Sequence, residues 1–160
     1  EKTEARLNEL ADTVQKLTIG LQNTRAELGG LSRSISYGFE NEAYRMLPNF
    51  LKNKYGIELK ERLIRTEIDN KEINIFGRGG KNGKDIIIVG EVKLRLGDGQ
   101  KREEEEEKDI FDELEEKVSA VKKSYKDEEI VRILIAHYAT KRFLQKANEK
   151  GVIVIQSFEW

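Results

Sequence analysis

The sequence contains no cysteine, one histidine and one proline among its 160 residues. The absence of cysteine excludes disulfides, thiolate zinc sites and cysteine nucleophiles. The lone His137 excludes metal sites built on several histidines and leaves little room for a Ser-His-Asp triad. No apolar run approaches the roughly 18 residues that a membrane-spanning helix requires, and no signal peptide opens the chain. Any catalysis must therefore use carboxylates, amides and lysines, and we expect a cytoplasmic protein.

Charged residues are abundant and almost balanced, with 29 Lys and Arg against 30 Asp and Glu. The length suits one domain with an appendage and is enough to bury a core. High Lys and Glu content with a single Met is typical of proteins from thermophiles. The chain begins with Glu rather than Met, as a fragment of a longer protein would.

An unbroken heptad repeat occupies the N-terminal part of the chain. Its positions, spaced alternately by three and four residues, are Leu7, Leu10, Val14, Leu17, Leu21, Thr24, Leu28, Leu31 and Ile35. A period of 3.5 residues predicts a left-handed coiled coil. We therefore expect residues 1–36 to form a coiled-coil helix that assembles a homo-oligomer, a dimer or a tetramer, through residues 7–35. The alternative is an amphipathic helix lying on the globular domain, but the absence of a third apolar row favours the coiled coil.

From residue 37 onward, helical and extended patterns alternate. A first helix is predicted to end at Gly56, and the Asn82-Gly83 dipeptide predicts a tight hairpin. The predicted later elements are strands at Leu59–Ile68, Glu72–Phe76 and Asp85–Leu94, a helix from about Arg102, a strand at Val131–Ala139, a helix at Lys141–Lys150 and a strand at Val152–Ile155. This order predicts an α/β fold in which a three-stranded meander, extended by two crossover strands, forms a mixed sheet with helices on both of its faces.

The chemistry concentrates at Gly90-Glu91-Val92-Lys93, which ends a strand whose apolar run Ile86–Val89 predicts burial on both faces. Because strand side chains alternate, Glu91 and Lys93 point to the same side. Buried charges are costly unless they are paired or bound to metal. The hairpin also places Glu72 and Asn74 on the neighbouring strand, on one face. Carboxylate and amide oxygens suit a hard cation such as Mg²⁺, and the lysine could orient a water or offset charge on a phosphorane-like transition state.

These residues, together with the helical segment Tyr37–Ala43, resemble the PD-(D/E)XK nuclease superfamily. More narrowly, the chain is similar to prokaryotic and archaeal members of unknown function that carry a coiled coil before the nuclease domain. The resemblance covers residues 37–160 and implies a restriction-endonuclease-like fold and a Mg²⁺- or Mn²⁺-dependent endonuclease that acts on DNA. It implies a catalytic set of Glu40, Asn74, Glu91 and Lys93, in which Glu91 and Lys93 occupy the E-x-K positions of the family motif. The implied metal ligands are Asn74, Glu91 and the backbone carbonyl of Val92.

One position departs from the family pattern, because Asn74 stands where the family has its defining aspartate. An asparagine coordinates through its carbonyl oxygen but brings no charge, so we expect weaker metal binding. Glu72 or Asp69 would be substitutes, although a turn role is the more common one for a residue such as Asp69. The alternative function is a catalytically impaired nuclease fold that serves as a scaffold or a protein-interaction module.

Nucleic-acid contacts are predicted at Arg78, Lys81, Lys84 and Arg95. The stretch from Arg78 to Arg95 holds five basic residues against two acidic ones, an excess that would meet phosphates. The alternative is a solubilising turn. The consecutive acids Glu103–Glu107 favour a helix start, but near the site they would repel DNA or contact a basic partner.

Each proposed site residue also has a structural interpretation. Glu91 and Lys93 would form a structural ion pair, and Glu40 would be a solvated residue on a helix surface. His137 follows an apolar strand and is expected to be a core or edge residue rather than an acid or base.

Overall fold

The computed structural model describes residues 1–97 and 103–160, and for residues 103–109 it describes the backbone alone. The helices are α1 (Lys2–Tyr55), α2 (Glu103–Ser124) and α3 (Lys141–Glu149), and a short 3₁₀ helix covers Ser157–Glu159. The strands are β1 (Glu58–Leu59), β2 (Ile64–Ile68), β3 (Lys71–Lys81), β4 (Lys84–Val92), β5 (Arg95–Leu96), β6 (Glu129–Ala136), β7 (Tyr138–Ala139) and β8 (Val152–Gln156). Internal contacts divide the chain into two compact units, Glu1–Tyr37 and Gly38–Trp160.

The first unit is helical and leaves its apolar heptad positions exposed. The exposed fractions of these side chains run from 46% at Ile35 to 68% at Leu17. Thr24, the one polar residue of the heptad repeat, donates its hydroxyl hydrogen to the carbonyl of Gly20 at 2.9 Å. The polar group is thereby satisfied within the helix, so it does not oppose association. That the first unit forms a coiled coil with other copies stays a prediction.

The second unit is built on a six-stranded mixed sheet. The strands lie in the order β1-β3-β4-β6-β8, and β2 also pairs with β3. The pairs formed by β1, β2 and β4 with β3 are antiparallel, whereas β4 with β6 and β6 with β8 are parallel. The predicted meander extended by two crossover strands is therefore confirmed.

Helices cover both faces of this sheet and bury two apolar clusters. On one face Phe39, Ala43, Leu47 and Leu51 of α1 pack on Ile86 and Ile88 of β4. On the other face Leu114, Val118 and Val121 of α2 and Phe143 of α3 pack on Ile87 and Val89. Since β4 alternates between the two clusters along four consecutive apolar residues, its burial on both faces is as predicted. The predicted α/β fold class, a mixed sheet flanked by helices and preceded by a long helix, is confirmed.

Tight turns join the antiparallel strands. Asn82 and Gly83 both have positive φ angles, of 53° and 77°, at the β3–β4 connection. Positive φ at both central residues is the geometry of a type I′ hairpin turn, which Asn-Gly favours. The predicted hairpin is therefore confirmed.

Two predicted strands are each divided. In the structure, two separate strands, β1 and β2, replace the single strand predicted at Leu59–Ile68. The chain between them turns the side chain of Leu63 into the core, where this side chain packs against Gly77. The strand predicted at Val131–Ala139 breaks at His137, after which β7 leaves the main sheet and pairs with β5. The first break falls in the charged segment Lys60-Glu61-Arg62 and the second at His137.

Two sequence features fall outside what the structure describes. They are the central residues of the polar loop around Gly97-Asp98-Gly99 and the side chains of the acidic run Glu103–Glu107. The backbone of α2 begins at Glu103, close to the predicted start at Arg102. Within residues 1–97 and 103–160, no helix combines the length and hydrophobicity needed to cross a bilayer.

Candidate functional site

The carboxyl-terminal end of β4 lies at the centre of the sheet, between β3 and β6. Gly90 is tightly enclosed there, since a Cβ atom at this position would lie 3.1 Å from both the carbonyl oxygen of Ile133 and the Cβ of Ile75. A larger residue would separate the neighbouring strands. The glycine that precedes Glu91 therefore allows β3 and β6 to close around the strand that carries the charged residues.

Glu91 is a buried carboxylate with a buried cationic partner. Its exposed fraction is 2%, and its Oε1 accepts a hydrogen bond at 2.5 Å from the Nζ of Lys117 on α2. Burial raises the pKa of Glu91, while the hydrogen bond and the charge of Lys117 oppose that rise. The raised pKa means that the ionised carboxylate costs more in this position than in water, even with its lysine in place.

A second acid and a second lysine complete a four-residue charge cluster, which consists of Glu91, Lys93, Glu113 and Lys117. Lys117 also donates to Glu113 at 3.2 Å, one helical turn away, and Lys93 donates to the same carboxylate at 3.4 Å. Burial acts to raise the pKa of Glu113, but Lys93 and Lys117 prevail and lower it. Glu91 and Lys93 thus reach the same face of the sheet, beside α2, as strand alternation predicted.

Asn74 joins β3 to the end of β4. Its side-chain Oδ1 accepts a hydrogen bond from the backbone N–H of Val92 at 3.1 Å, and its own carbonyl accepts one from the hydroxyl of Tyr44 at 2.7 Å. The register of β2 against β3 shifts in this region, and Ile73 and Ile75 belong to clusters on opposite faces. The prediction that side chains alternate regularly between the two faces of the sheet through Asn74 is therefore wrong. An irregularity in the strand changes the face to which the following side chains point.

Glu40 takes part in a second network, on α1. Its carboxylate is 6% exposed and accepts two hydrogen bonds from Arg65 of β2, with Nε at 3.2 Å from Oε2. Arg65 also pairs with Glu72 of β3. Tyr44, whose pKa is raised by burial and by the charge of Glu40, lies between this network and the backbone of Asn74. Glu40 is thus buried and paired rather than solvated, and Glu72 is engaged with Arg65.

The residues predicted to contact nucleic acid are spread along the β3–β4 hairpin and beyond the end of β4. Lys81 and Lys84 flank the hairpin turn, and Arg78 donates to Glu61 at 2.6 Å. Arg95 follows the other end of the strand and places its guanidinium 5.1 Å from the ring centroid of Tyr138. At about 3.3 Å of rise per residue, the nine steps from Lys84 to Lys93 span at most about 30 Å. The structure does not bring these residues together in one patch.

His137 is exposed and lies just beyond the carboxyl-terminal end of β6. Its ring stacks on Phe39 with centroids 3.8 Å apart, and its Nδ1 is 2.9 Å from the hydroxyl of Ser157. Asp69 occupies the β2–β3 turn with a positive φ of 51° and accepts a hydrogen bond from Lys123 at 2.6 Å. The turn role favoured for Asp69 matches this geometry.

Sequence reasoning missed the partners that hold the charged residues. Lys117 and Glu113 of α2 and Arg65 of β2 supply the ion pairs described above. A signal existed on α2, because Glu113 and Lys117 are four residues apart and flank the apolar stripe that contains Leu114 and Val118. No comparable signal marked the pairing of Arg65 with Glu40, which lies 25 residues away in sequence.

The candidate donors at the end of β4 are all oxygen atoms, the ligand type that hard divalent cations take. They are the Glu91 carboxylate, the Asn74 amide oxygen, which has a second lone pair, and the carbonyl of Val92. Among the residues whose side chains the structure describes, no three His, Asp or Glu side chains form a group that could hold a metal ion. With one carboxylate and two neutral oxygens, the set suits a cation bound at modest affinity.

Comparison with known proteins assigns most of the chain to one family. A family model described as a domain of unknown function (DUF8196) matches residues 41–159. No curated protein matches this chain. Among solved structures, the crystal structure of a repair endonuclease from Pyrococcus abyssi is similar at 20% identity and a TM-score of 0.39. The alignment covers 72% of this chain and 46% of that one, so the chain spans less than half of that protein's length.

Proposed function

We propose that this chain, which belongs to the DUF8196 family of domains of unknown function, is a divalent-metal-dependent DNA endonuclease of the PD-(D/E)XK type. The observation that carries the proposal is Glu91, a carboxylate 2% exposed at the end of the central strand, with Lys93 two residues away on the same face. The mixed sheet with α1 on one face and α2 and α3 on the other is the setting that this motif requires.

The burial of Glu91 itself argues for a function. Its pKa is raised because the surroundings disfavour the ionised form more than Lys117 favours it. An apolar residue would be more stable at the end of a strand that otherwise reads Ile86-Ile87-Ile88-Val89. Charged groups retained at such a cost concentrate in catalytic and ligand-binding sites.

The metal would be Mg²⁺ or Mn²⁺, held by Glu91, the Asn74 amide oxygen and the carbonyl of Val92. When bound, the cation would supply charge neutralisation at the scissile phosphate. Asn74 keeps its hydrogen bond to the N–H of Val92 while offering a second lone pair, so it also fixes the distance between β3 and β4.

Lys93 would act on the phosphate directly. The Lys93 side chain is 35% exposed, and its ammonium lies 3.4 Å from Glu113. Because this contact is long, a substrate phosphate can replace Glu113 as the partner of Lys93. In that position it stabilises negative charge that develops on the phosphate oxygens. Glu40 would be a positioning residue, because it holds Arg65 and, through Arg65, the β2 and β3 strands that present Asn74.

The DNA would approach the edge of the sheet where β4, β6 and β8 end. Arg95 and Lys93 lie there, and ligands of open α/β sheets bind at the carboxyl ends of parallel strands. Arg78, Lys81 and Lys84 lie at most about 30 Å away along β4, which corresponds to roughly nine base pairs of duplex. One duplex that lies along the strand would therefore contact both groups.

Assembly through the first unit would bring several such sites together. The apolar heptad residues between Leu7 and Ile35 are about half exposed, and burying them against other copies would release that surface from water. The occupant we propose is a second copy of this chain, because a strict 3.5-residue period is complementary to itself. A homodimer or a homotetramer satisfies the pattern, and either would suit cleavage of both strands of a duplex.

The test is cleavage of plasmid, linear, branched and single-stranded DNA and of RNA in Mg²⁺ or Mn²⁺. The wild-type protein is expected to cut at least one DNA form, and Glu91→Gln is expected to cut none. Glu115→Gln is the matched control, because it makes the same change to a glutamate of α2 that pairs with Arg132, outside the charge cluster. Equal cleavage by wild type and Glu91→Gln would show that the activity arises elsewhere.

A second candidate function, a non-catalytic scaffold, is favoured by one observation. The described side chains Glu91, Lys93 and Asn74 each already have a protein partner, in Lys117, Glu113 and Val92. Such a fully paired arrangement would stabilise the fold without any ligand. Calorimetric binding of Mn²⁺ that is abolished by Glu91→Gln would contradict the scaffold function.

A further inference from the structure

We infer that Lys117 is a built-in counter-cation that competes with the divalent metal for Glu91 and thereby sets the metal affinity of the site. The inference rests on the proposed function and goes beyond it, because Lys117 lies on α2 and is outside the E-x-K motif. It assigns to Lys117 the regulation of metal binding rather than a contact with substrate.

The geometry of the Lys117 side chain is the first support. Its Nζ lies 2.5 Å from Oε1 of Glu91, and the two side chains are 11% and 3% exposed. A hydrogen bond of this length between ionised groups, shielded from water, is among the stronger polar contacts in proteins. A dication that binds the same carboxylate brings positive charge next to this ammonium, so the two cations oppose each other at close range.

Glu113 is the second support for the inference, because it offers Lys117 an alternative ion-pair partner. The same Nζ lies 3.2 Å from Oε1 of Glu113, four residues earlier on α2. Lys117 can therefore leave Glu91 for Glu113 by a change of side-chain conformation, without becoming a buried unpaired charge. The free-energy cost of freeing Glu91 for a metal is then the difference in strength between two ion pairs of Lys117. It is not the complete loss of one ion pair.

The movement of Lys117 also affects Lys93, because both lysines pair with Glu113. Glu113 is shared by Lys117 and by Lys93, whose Nζ is 3.4 Å from Oε2. When Lys117 moves fully onto Glu113, that carboxylate no longer needs Lys93. Metal at Glu91 would thereby release Lys93 toward the substrate phosphate, so the two parts of the site would become competent together.

Two substitutions at position 117 test the inference in opposite directions. Lys117→Gln keeps a hydrogen-bond donor but removes the charge, and Mn²⁺ should bind at least about tenfold tighter, a change of about 1.4 kcal/mol. Lys117→Arg keeps the charge, and its guanidinium holds a carboxylate through two parallel hydrogen bonds, so Mn²⁺ should bind several-fold more weakly. Lys123→Gln, a change of a lysine on the same helix that pairs with exposed Asp69, should leave the affinity unchanged.

The measurement is calorimetric titration of the full chain with Mn²⁺ at one pH, and the rise of the unfolding midpoint with Mn²⁺ checks it independently. Equal affinities for wild type and both position-117 variants would overturn the inference. If Glu91→Gln abolishes binding while position 117 has no effect, only this inference fails and the proposed metal site stands. If the wild type and both variants bind no Mn²⁺, the inference and the metal-dependent function both fail. Lys117→Arg retains the buried ion pair, so the test holds even where Lys117→Gln does not fold.

Discussion

The side-chain oxygen of Asn74 and the backbone N–H of Val92 form a 3.1 Å hydrogen bond that joins β3 to β4 beyond their last paired residues, Ile75 and Gly90. A side chain here replaces the backbone carbonyl that would continue the ladder. The same oxygen belongs to the proposed metal site, so position 74 combines a structural role with a chemical one.

Asn74→Asp should strengthen metal binding without loss of stability. A carboxylate oxygen still accepts the hydrogen bond from Val92, and the added negative charge attracts the cation. We expect Mn²⁺ affinity and DNA cleavage to rise by about tenfold or more, which corresponds to about 1.4 kcal/mol. Calorimetry and a plasmid-cleavage assay measure both quantities.

The matched control for that substitution is Asn74→Ala, which removes the acceptor for Val92. It should lower the free energy of unfolding by about 1 kcal/mol, the net contribution of a typical hydrogen bond. Tighter Mn²⁺ binding by Asn74→Ala than by Asn74→Asp would contradict the role assigned to the amide oxygen.

Glu91→Gln should make the protein more stable and less active. The ionised carboxylate is buried at a cost that Lys117 does not fully offset, as the direction of its pKa shift indicates. Gln removes that cost and still accepts a hydrogen bond from Lys117. We expect a higher denaturant midpoint, with cleavage reduced by more than the 10- to 100-fold typical for loss of an outer-shell partner of a metal site. A variant that is both less stable and fully active would refute this assignment.

Arg65→Met should destabilise the fold because it leaves Glu40 as a buried charge without its partner. Breaking such pairs costs about 3–5 kcal/mol when both groups are buried; since Arg65 is 32% exposed by side chain, we expect about 2 kcal/mol. The comparison is Arg78→Met, which breaks an exposed pair with Glu61 and should lower the free energy of unfolding much less, because water screens exposed charges. Denaturant unfolding measures both variants, and equal losses would mean that the Glu40 network is no more important than a surface pair.

Leu21→Glu should disrupt association through the first unit. Leu21 belongs to the apolar heptad repeat and is 52% exposed in the single chain, so a charge there would be buried only on association. Sedimentation analysis should find smaller species for Leu21→Glu than for wild type. Gln22→Glu, which introduces the same charge one position outside the heptad seam, should sediment as the wild type does. Wild-type protein that sediments as a monomer at high concentration would contradict the predicted oligomer.

The Asp69–Lys123 pair should contribute to stability at neutral pH and lose that contribution in acid. Its hydrogen bond and the charge of Lys123 hold the pKa of Asp69 below its usual range. Because the folded pKa lies below the unfolded one, the contribution is present above the unfolded pKa and disappears as pH falls through the folded pKa. Asp69→Asn should therefore unfold more easily than wild type at pH 6, and the difference should vanish near pH 2. A difference that grows in acid would have the wrong sign.

The elements of the fold were predictable because local patterns determine them. Four consecutive apolar residues at Ile86–Val89 indicated a strand buried on both faces, and Asn82-Gly83 indicated the hairpin turn. Hydrophobic period and turn chemistry act over a few residues, so they are visible in one sequence. The breaks at Leu63 and His137 were missed, because each depends on a contact with a residue distant along the chain, Gly77 or Phe39.

The sequence by itself determined the order of helices and strands, the heptad seam and the placement of Glu91 and Lys93 on one side of a central strand. Tertiary structure alone decided which charges meet. Lys117 reaches Glu91, and Arg65 joins Glu40 to Glu72, across separations of 26, 25 and 7 residues. Alternation along a strand is a local property of backbone geometry, whereas the partner of a buried charge depends on how α1 and α2 pack on opposite faces of the sheet. The charged contacts of this site therefore depend on the packing of those helices as much as on the E-x-K motif.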